Sequence, residues 1–302
     1  MTMKYLTRSY WHRKYIRLLE LCHAKWLDRE RNRELYHTMT GKWLRFSHPT
    51  DLNQKLIWLN WYWDNPLKAQ CADKYRVREY VESVGLGEIL VPLLGVWDHA
   101  DAIDFDALPS RFVLKCNHGS GYNIICTDKE QLDIPATRAQ LDEWLHTDYH
   151  KLLYEVHYKS IPRKIICEKF IGEHDTAPAE YQLWCVNGEP ESILACRKNL
   201  DHTYEAASYS LQWERLFDRI GEEEESVFEK PACGTDTLIR YARTLAKPFP
   251  FARIDFYVVG TTVYLAEITL TPSANILNNY KQSFLDRLGS RLTLPRKKPV
   301  TL

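Results

Sequence analysis

The sequence has no net charge to offer: 40 Lys and Arg balance 40 Asp and Glu over 302 residues. Nucleic-acid phosphate is neutralised by a cationic surface, so this balance speaks against nucleic acid as the main partner. Long apolar runs are missing too. No stretch of the chain approaches the ~20 apolar residues of a membrane-spanning helix. The N-terminus also has neither the apolar core nor the small-residue cleavage site of a secretory signal. The eight Cys include no Cys-x-x-Cys pair, and the 11 His form no ligand-spaced cluster with them. Zinc is therefore not expected. Cys116, Cys126, Cys167 and Cys185 lie inside apolar runs instead and read as buried thiols of a reducing, cytoplasmic setting.

What is present is an ordinary globular composition, 45% hydrophobic and 26% charged, on a chain long enough for two or three lobes sharing a core. One segment departs from it. From Lys4 to Arg17, basic residues alternate with Tyr5, Tyr10, Trp11 and Tyr15. This reads as a solvated helix face or as a surface that docks on a membrane.

Helical spacing governs the chain to about residue 85, with apolar positions three and four apart in Tyr15 to Leu21 and Leu52 to Leu59. Asp64-Asn65-Pro66 breaks the second run, and Asp73 is placed to cap a helix to Val84. After the apolar stretch Ile89 to Trp97, strands are expected at Arg111 to Cys116 and Asn123 to Thr127, then a helix from about Pro135 to Leu153. Further strands are expected at Lys164 to Phe170, Tyr181 to Val186 and Glu191 to Arg197, the last two joined by a hairpin at Asn187-Gly188. A Glu-rich loop at Gly221 to Glu225, a helix from Thr235 to Ala246, strands Phe251 to Val258 and Thr262 to Thr269, and a helix from Tyr280 to Leu288 complete an α+β pattern with antiparallel sheets.

Three constellations carry chemistry. Lys115 ends a strand that turns through Asn117-His118-Gly119-Ser120-Gly121 into a second strand. In a Walker loop the glycines precede the Lys and a helix follows. The reversed order describes a hairpin whose backbone N–H groups fold over phosphates while a strand Lys reaches them from the side. Arg253-Ile254-Asp255 and Glu267-Ile268-Thr269 stand on strands that pair across a turn near Gly260. Acids flanked by apolar residues need a cation, and Mg²⁺ uses one or two carboxylates together with substrate phosphates. Alternatively, Arg253 simply pairs with the acids. In Ile165-Ile166-Cys167-Glu168-Lys169-Phe170-Ile171, a backbone edge, a carboxylate and an apolar wall could hold an adenine ring.

The order of these parts resembles the ATP-grasp superfamily. More narrowly, Asp64-Asn65-Pro66-Leu67, Asp73-Lys74-Tyr75-x-Val77-Arg78, Pro92 to Trp97, Phe112 to His118, Asn187-Gly188-Glu189-Pro190 and Phe251 to Tyr257 resemble its TupA-like branch of teichuronopeptide and capsular polysaccharide biosynthesis, over about residues 50–290. The resemblance implies an ATP-grasp fold, two α+β lobes gripping ATP after a helical region at 1–85. The lobes would be 86–165, with the glycine hairpin, and 166–302, with the metal site. Lys74 and Lys115 would bind the α- and β-phosphates, and His118, Gly119, Ser120 and Gly121 would cover the γ-phosphate. Glu168, Lys169, Phe170 and Ile171 would hold adenine, and Glu180 the ribose. Asp255 and Glu267 would carry Mg²⁺, with Arg253 on the acyl phosphate. Two departures stand out: Thr269 where the superfamily has a third metal ligand, Asn, and Gln182 where relatives often carry Lys.

The activity this implies is a carboxylate–amine ligase that joins an amino acid or amine to a uronic acid carboxylate, in the cytoplasm or at the inner face of the membrane. Its rivals are an ATP-grasp kinase, a non-catalytic nucleotide-binding protein and a glycosyltransferase. For the last, Asp104-Phe105-Asp106 has the spelling of a DxD metal motif but stands in a polar turn.

Overall fold

The computed structural model describes residues 27–172, 178–198, 204–220 and 226–300. The basic segment Lys4 to Arg17, the apolar spacing of Tyr15 to Leu21 and the Glu-rich stretch at 221–225 lie outside them. Among the described residues no helix is long and apolar enough to cross a membrane.

Four helices come first: α1 (Leu27–Thr40), α2 (Leu52–Tyr62), α3 (Pro66–Ala72) and α4 (Val77–Ser83). Asp51 caps α2 by accepting from Gln54 N–H at 2.9 Å, and Asn65 caps α3 by accepting from Leu67 N–H at 3.0 Å. The far end of α2 is held from α3. Lys68 is buried and its ammonium donates to the carbonyls of Leu59, Asn60 and Trp63 at 3.1, 3.3 and 3.2 Å. They stand at the C-terminus of the helix, where carbonyls run out of intrahelical partners, and Leu59 O accepts from Trp63 N–H as well, at 3.2 Å. Burial lowers the Lys68 ammonium to about 8.

The first sheet orders as β1-β4-β2-β3, all neighbours antiparallel, from β1 (Leu93–Trp97), β2 (Phe112–Cys116), β3 (Asn123–Cys126) and β4 (Ile165–Lys169). The expected long helix is two pieces, α5 (Ile134–His146) and α6 (Tyr149–Leu152). The break at Thr147 and Asp148 is fastened by Arg163, which donates to Leu145 O at 2.7 Å and to Asp148 at 2.5 Å. Leu141 and Leu145 of α5 pack with Phe112, Leu114 and Cys167.

The second sheet orders as β10-β9-β5-β6-β7-β8, again antiparallel: β5 (Glu180–Val186), β6 (Glu189–Lys198), β7 (Tyr204–Tyr209), β8 (Arg215–Leu216), β9 (Phe251–Val259) and β10 (Thr262–Thr269). Asn187 and Gly188 make the β5–β6 hairpin with φ of 53° and 84°, the pair of left-handed residues that a tight hairpin wants. One face of this sheet buries Leu183, Cys185, Ile254 and Phe256 beneath Leu238, Ala242 and Leu245 of α7 (Thr235–Ala246). The other buries Trp184, Val186 and Phe251 beneath α2 and α8 (Gln282–Arg291). Strand alternation continues this second face through Gln182, Glu180, Arg253 and Asp255. The N-terminal helices and α8 thus cover its apolar end, and its polar end is left to the site.

Candidate functional site

Convergence begins at Asn117, the residue after β2. Its backbone N–H donates to Lys164 O at 2.9 Å, and its carbonyl accepts from Lys74 N–H at 3.0 Å. Its side chain donates to Asp73 at 2.8 Å and Pro162 O at 2.8 Å, and accepts from Lys164 N–H at 2.7 Å. A buried amide with both N–H donors and its oxygen engaged fixes its surroundings. Asn117 therefore ties the Lys74 turn to the end of β2 and the approach to β4. Asp73 holds the other side, accepting from the N–H groups of Tyr75 and Arg76 at 2.9 and 3.2 Å. It closes a turn before α4, so the helix starts three residues later than a cap at Asp73 predicts.

From that turn the Lys74 ammonium donates to Gly119 O at 2.7 Å and lies 4.0 Å from Glu267. Burial lowers its pKa, Glu267 pulls it back up, and Lys115 adds to the lowering. Lys115 pairs with Glu168 across β2 and β4 at 2.5 Å, and Arg78 reaches the same carboxylate at 3.8 Å. Lys74, Arg78, Lys115, Glu168, Glu267 and Thr269 line one cleft between the two sheets. Four of these come from the helical region and first sheet, two from the second.

On the second sheet, pairing would set Ala266 against Asp255 were it regular. A bulge after Leu265 shifts the register so that Glu267 stands opposite Asp255 and Thr269 opposite Arg253. All four side chains then share one face. Arg253 donates to Asp255 through Nε at 2.8 Å and Nη2 at 2.5 Å, and through Nη2 to Glu267 at 3.3 Å and Thr269 at 3.2 Å. Thr269 donates to Glu267 at 2.5 Å and approaches Asp255 at 3.4 Å. Nη2 and the Thr269 hydroxyl each touch both carboxylates, so two acids converge on a place already held by positive charge. Burial drives the fully enclosed Asp255 carboxyl above its usual range, with Arg253 pulling it back. Burial pushes Glu267 up as well, but Lys74 and Arg253 outweigh it and hold it below the usual range.

The two carboxylates and a hydroxyl fit Mg²⁺ as a donor set that phosphate oxygens would complete. They do not make a self-sufficient cage: among the described residues no group of three or more His, Cys, Asp or Glu could hold a metal ion.

The glycine hairpin meets this cleft through the Gly119 carbonyl, which accepts from Lys74. Gly119 has φ of 92°, and a Cβ there would meet the Tyr149 ring at 2.5 Å; a residue without one is required on both counts. Ser120 and Gly121 are exposed beside it. The His118 imidazole turns inward instead. It is buried, with Nε2 3.1 Å from Trp144 O, so only its backbone belongs to the loop's outer face. Glu180, at the start of β5, accepts from Gln182 Nε2 at 2.6 Å, and burial raises its carboxyl. Lys169, Phe170 and Ile171 follow at the end of β4 and do not line the cleft. Lys169 N–H donates to Pro92 O at 2.9 Å, and the Arg111 guanidinium sits 4.3 Å from the Phe170 ring.

Sequence reasoning missed the groups beneath the loop. Glu155 is 6% exposed and accepts from the Thr271 hydroxyl. Burial raises its carboxyl to about 7, against the hydrogen bonds of Thr271 and Tyr149 and with the Glu267 charge adding to the rise. The Tyr149 hydroxyl also meets the Ser120 backbone. Tyr149 and Glu155 carry no local motif, and nothing but the tertiary fold brings them to the loop. The Asp104-Phe105-Asp106 spelling, by contrast, is structural: Asp104 accepts from Asp106 N–H at 3.1 Å and closes a turn, while Phe105 is core.

No curated protein matches the chain. Among solved structures, D-alanine–D-alanine ligase from Bacillus anthracis complexed with ATP aligns at 15% identity and a TM-score of 0.47, over 85% of this chain and 73% of that one. The ATP-grasp ligase PsnB, complexed with a phosphomimetic variant of its minimal precursor, Mg and ADP, aligns at 11% identity and a TM-score of 0.39, over 76% of this chain and 61% of that one. The family described as TupA-like ATPgrasp matches residues 54–293. With that match spanning both sheets, the fold is the α+β ATP-grasp fold and the chain belongs to the TupA-like ATP-grasp family.

Proposed function

We propose that the protein is an ATP-dependent carboxylate–amine ligase that forms an amide through an acyl phosphate. The observation that carries this reading is the shared cleft: two lysines reach it from one side, and Glu267 and Thr269 from the other, with Lys74 also tied to Gly119 of the glycine hairpin. Lys74 and Lys115 neutralise the α- and β-phosphates of ATP, and the backbone from His118 to Gly121 covers the γ-phosphate. Glu168 meets the adenine where β4 enters the cleft, and Lys169 to Ile171, which leave the cleft, take no part in that contact. Glu180 takes the ribose hydroxyls. Asp255 and Glu267, assisted by Thr269, hold Mg²⁺, which when bound offsets charge on the transferring phosphoryl group.

In the reaction a carboxylate oxygen of the acceptor forms a bond to the γ-phosphorus as the bond to the ADP oxygen breaks. An amine then attacks the acyl carbon, phosphate leaves, and the amine loses a proton. Arg253 holds the carboxylate and the tetrahedral oxyanion, because its planar fork suits such oxygens. The TupA-like resemblance supports a uronic acid carboxylate of a surface polysaccharide as acceptor and an amino acid as the amine. It also supports work in the cytoplasm or at the inner membrane face.

The test is a coupled ADP-release screen of uronic acids and their glycosides against amino acids. ADP and phosphate should appear only when both substrates are present, and Lys115→Ala should abolish their release. Transfer from a sugar nucleotide that ignores Lys115→Ala would contradict the proposal.

A further inference from the structure

A short segment, residues 90–93, is joined to both sheets. Leu90 bridges Leu265 of β10, and Leu93 pairs with Glu168 of β4. Pro92 O accepts from Lys169 N–H at 2.9 Å. This seam therefore meets β10 at Leu265, where the bulge that sets Glu267 opposite Asp255 begins, and meets β4 at Glu168. Arg78, near the start of α4, grips the seam in its middle. Its Nη1 donates to Val91 O at 2.9 Å and faces Glu168 Oε1 at 3.8 Å. Arg78 lines the cleft as a third cation beside Lys74 and Lys115.

The three cations are anchored differently. Lys74 is tied to the glycine hairpin through Gly119 O, and Arg78 to the seam through Val91 O. Lys115 is held by Glu168, at 2.5 Å through Oε2. The two oxygens of Glu168 are thus divided, with a lysine close to one and an arginine farther from the other. A phosphate that draws Lys115 away would leave this carboxylate, only 8% exposed, without its near counter-charge. Stranding a buried carboxylate is strongly unfavourable. A second cation already beside it reduces that penalty, and Arg78 stands in that place.

We propose that Arg78 is a positioning residue of the nucleotide site, which takes over Glu168 when Lys115 moves to the phosphates of ATP. A closure of about 1 Å turns the ion pair into a charge-assisted hydrogen bond. A guanidinium suits the task, because one N–H can hold Val91 O while others meet the carboxylate edge. The exchange also frees Oε2 to accept from the amino group of adenine. One carboxylate then serves Lys115 before binding and the base after it. The inference rests on the nucleotide reading of the cleft, and it adds the group that sets how readily Lys115 is released.

Calorimetric titration of MgATP into the full chain tests this with Arg78→Gln and Glu168→Gln, singly and combined. Arg78→Gln should weaken MgATP by about tenfold, because Glu168 then retains Lys115. Made beside Glu168→Gln, where no charge is left to hold the lysine, the same substitution should change affinity by no more than about twofold. An arginine that touched the phosphates itself, or one that only braced α4 against Val91, would weaken binding equally in both backgrounds. Equal losses would therefore overturn the proposal. Arg78→Lys keeps the charge and serves if Arg78→Gln does not fold. It should stay within about threefold of wild type, and a loss of about tenfold there would contradict the exchange as well. Failure of wild-type protein to bind MgATP would instead sink the nucleotide reading, whereas wild-type binding with equal losses in the two backgrounds sinks this inference alone.

Discussion

The first sheet brings charge to the cleft on side chains that remain partly open to water: Lys115 keeps 18% of its side-chain surface and Glu168 keeps 10%. The second sheet encloses Asp255 completely and wraps it, with Glu267 and Thr269, around one guanidinium. Both arrangements neutralise a carboxylate with a cation, but they differ in what a ligand can change. The Lys115–Glu168 pair can part when a phosphate arrives, because solvent already softens it. Neither Arg253 nor Asp255 can be lost without leaving the charge of the other buried. One wall therefore offers an exchangeable ion pair, and the other holds its ion pair within the core.

That contrast predicts unequal responses to mutation. Arg253→Ala should have the largest effect, costing about 3–5 kcal/mol of stability in urea unfolding because it strands a buried carboxylate. Arg253→Ala combined with Asp255→Ala should recover part of the loss, and no recovery would mean that the two walls do not differ in kind.

Glu155 comes next and reads through pH. Its carboxyl stands at about 7 in the folded protein against 4.5 when unperturbed. A raised carboxyl takes up a proton on folding, so this contribution is full below the unperturbed value and is lost as pH rises through the folded one. The ceiling is about 3 kcal/mol. Glu155→Gln should therefore gain about 2–3 kcal/mol relative to wild type between pH 5 and pH 8 in unfolding titrations. A gain independent of pH would show that Glu155 is ionised throughout.

Gly119→Ala should cost about 1–3 kcal/mol, from its left-handed φ and the Tyr149 ring behind it, and should weaken MgATP binding by lifting the hairpin. Unfolding and nucleotide titrations check both. The smallest stability change belongs to Lys115→Met, about 1 kcal/mol, since Arg78 still faces Glu168. A cost as large as that of Arg253→Ala would erase the distinction between the walls.

The sequence revealed these walls by different signals, and only where the signal is local. The Lys-before-glycine order is contiguous, so the hairpin at Lys115 to Gly121 was legible. The opposition of Asp255 and Glu267 was legible from strand alternation near Gly260, although the bulge after Leu265 that secures it was not. Strand β7, Tyr204–Tyr209, escaped notice because its small residues do not alternate in polarity. The break at Thr147 and Asp148 was hidden because the Arg163 that fastens it lies 15 residues beyond Asp148. The same reason hid Asn117 as a hub, Lys68 as the cap of α2, and Glu155 beneath the loop: each acts through partners that only tertiary structure supplies. The Asp104 spelling shows the converse, a motif that is contiguous and yet is a turn.

The central claim is that the opposed walls form one MgATP site. Calorimetric titration of MgATP into wild-type protein, Lys115→Met and Asp255→Asn tests it most directly. The account predicts saturable, magnesium-dependent binding to wild type and at least about a tenfold loss in each variant, with Lys115→Met keeping nearly wild-type stability. Nucleotide binding that ignores Lys115→Met in a folded protein, or no binding to wild type at all, would contradict it.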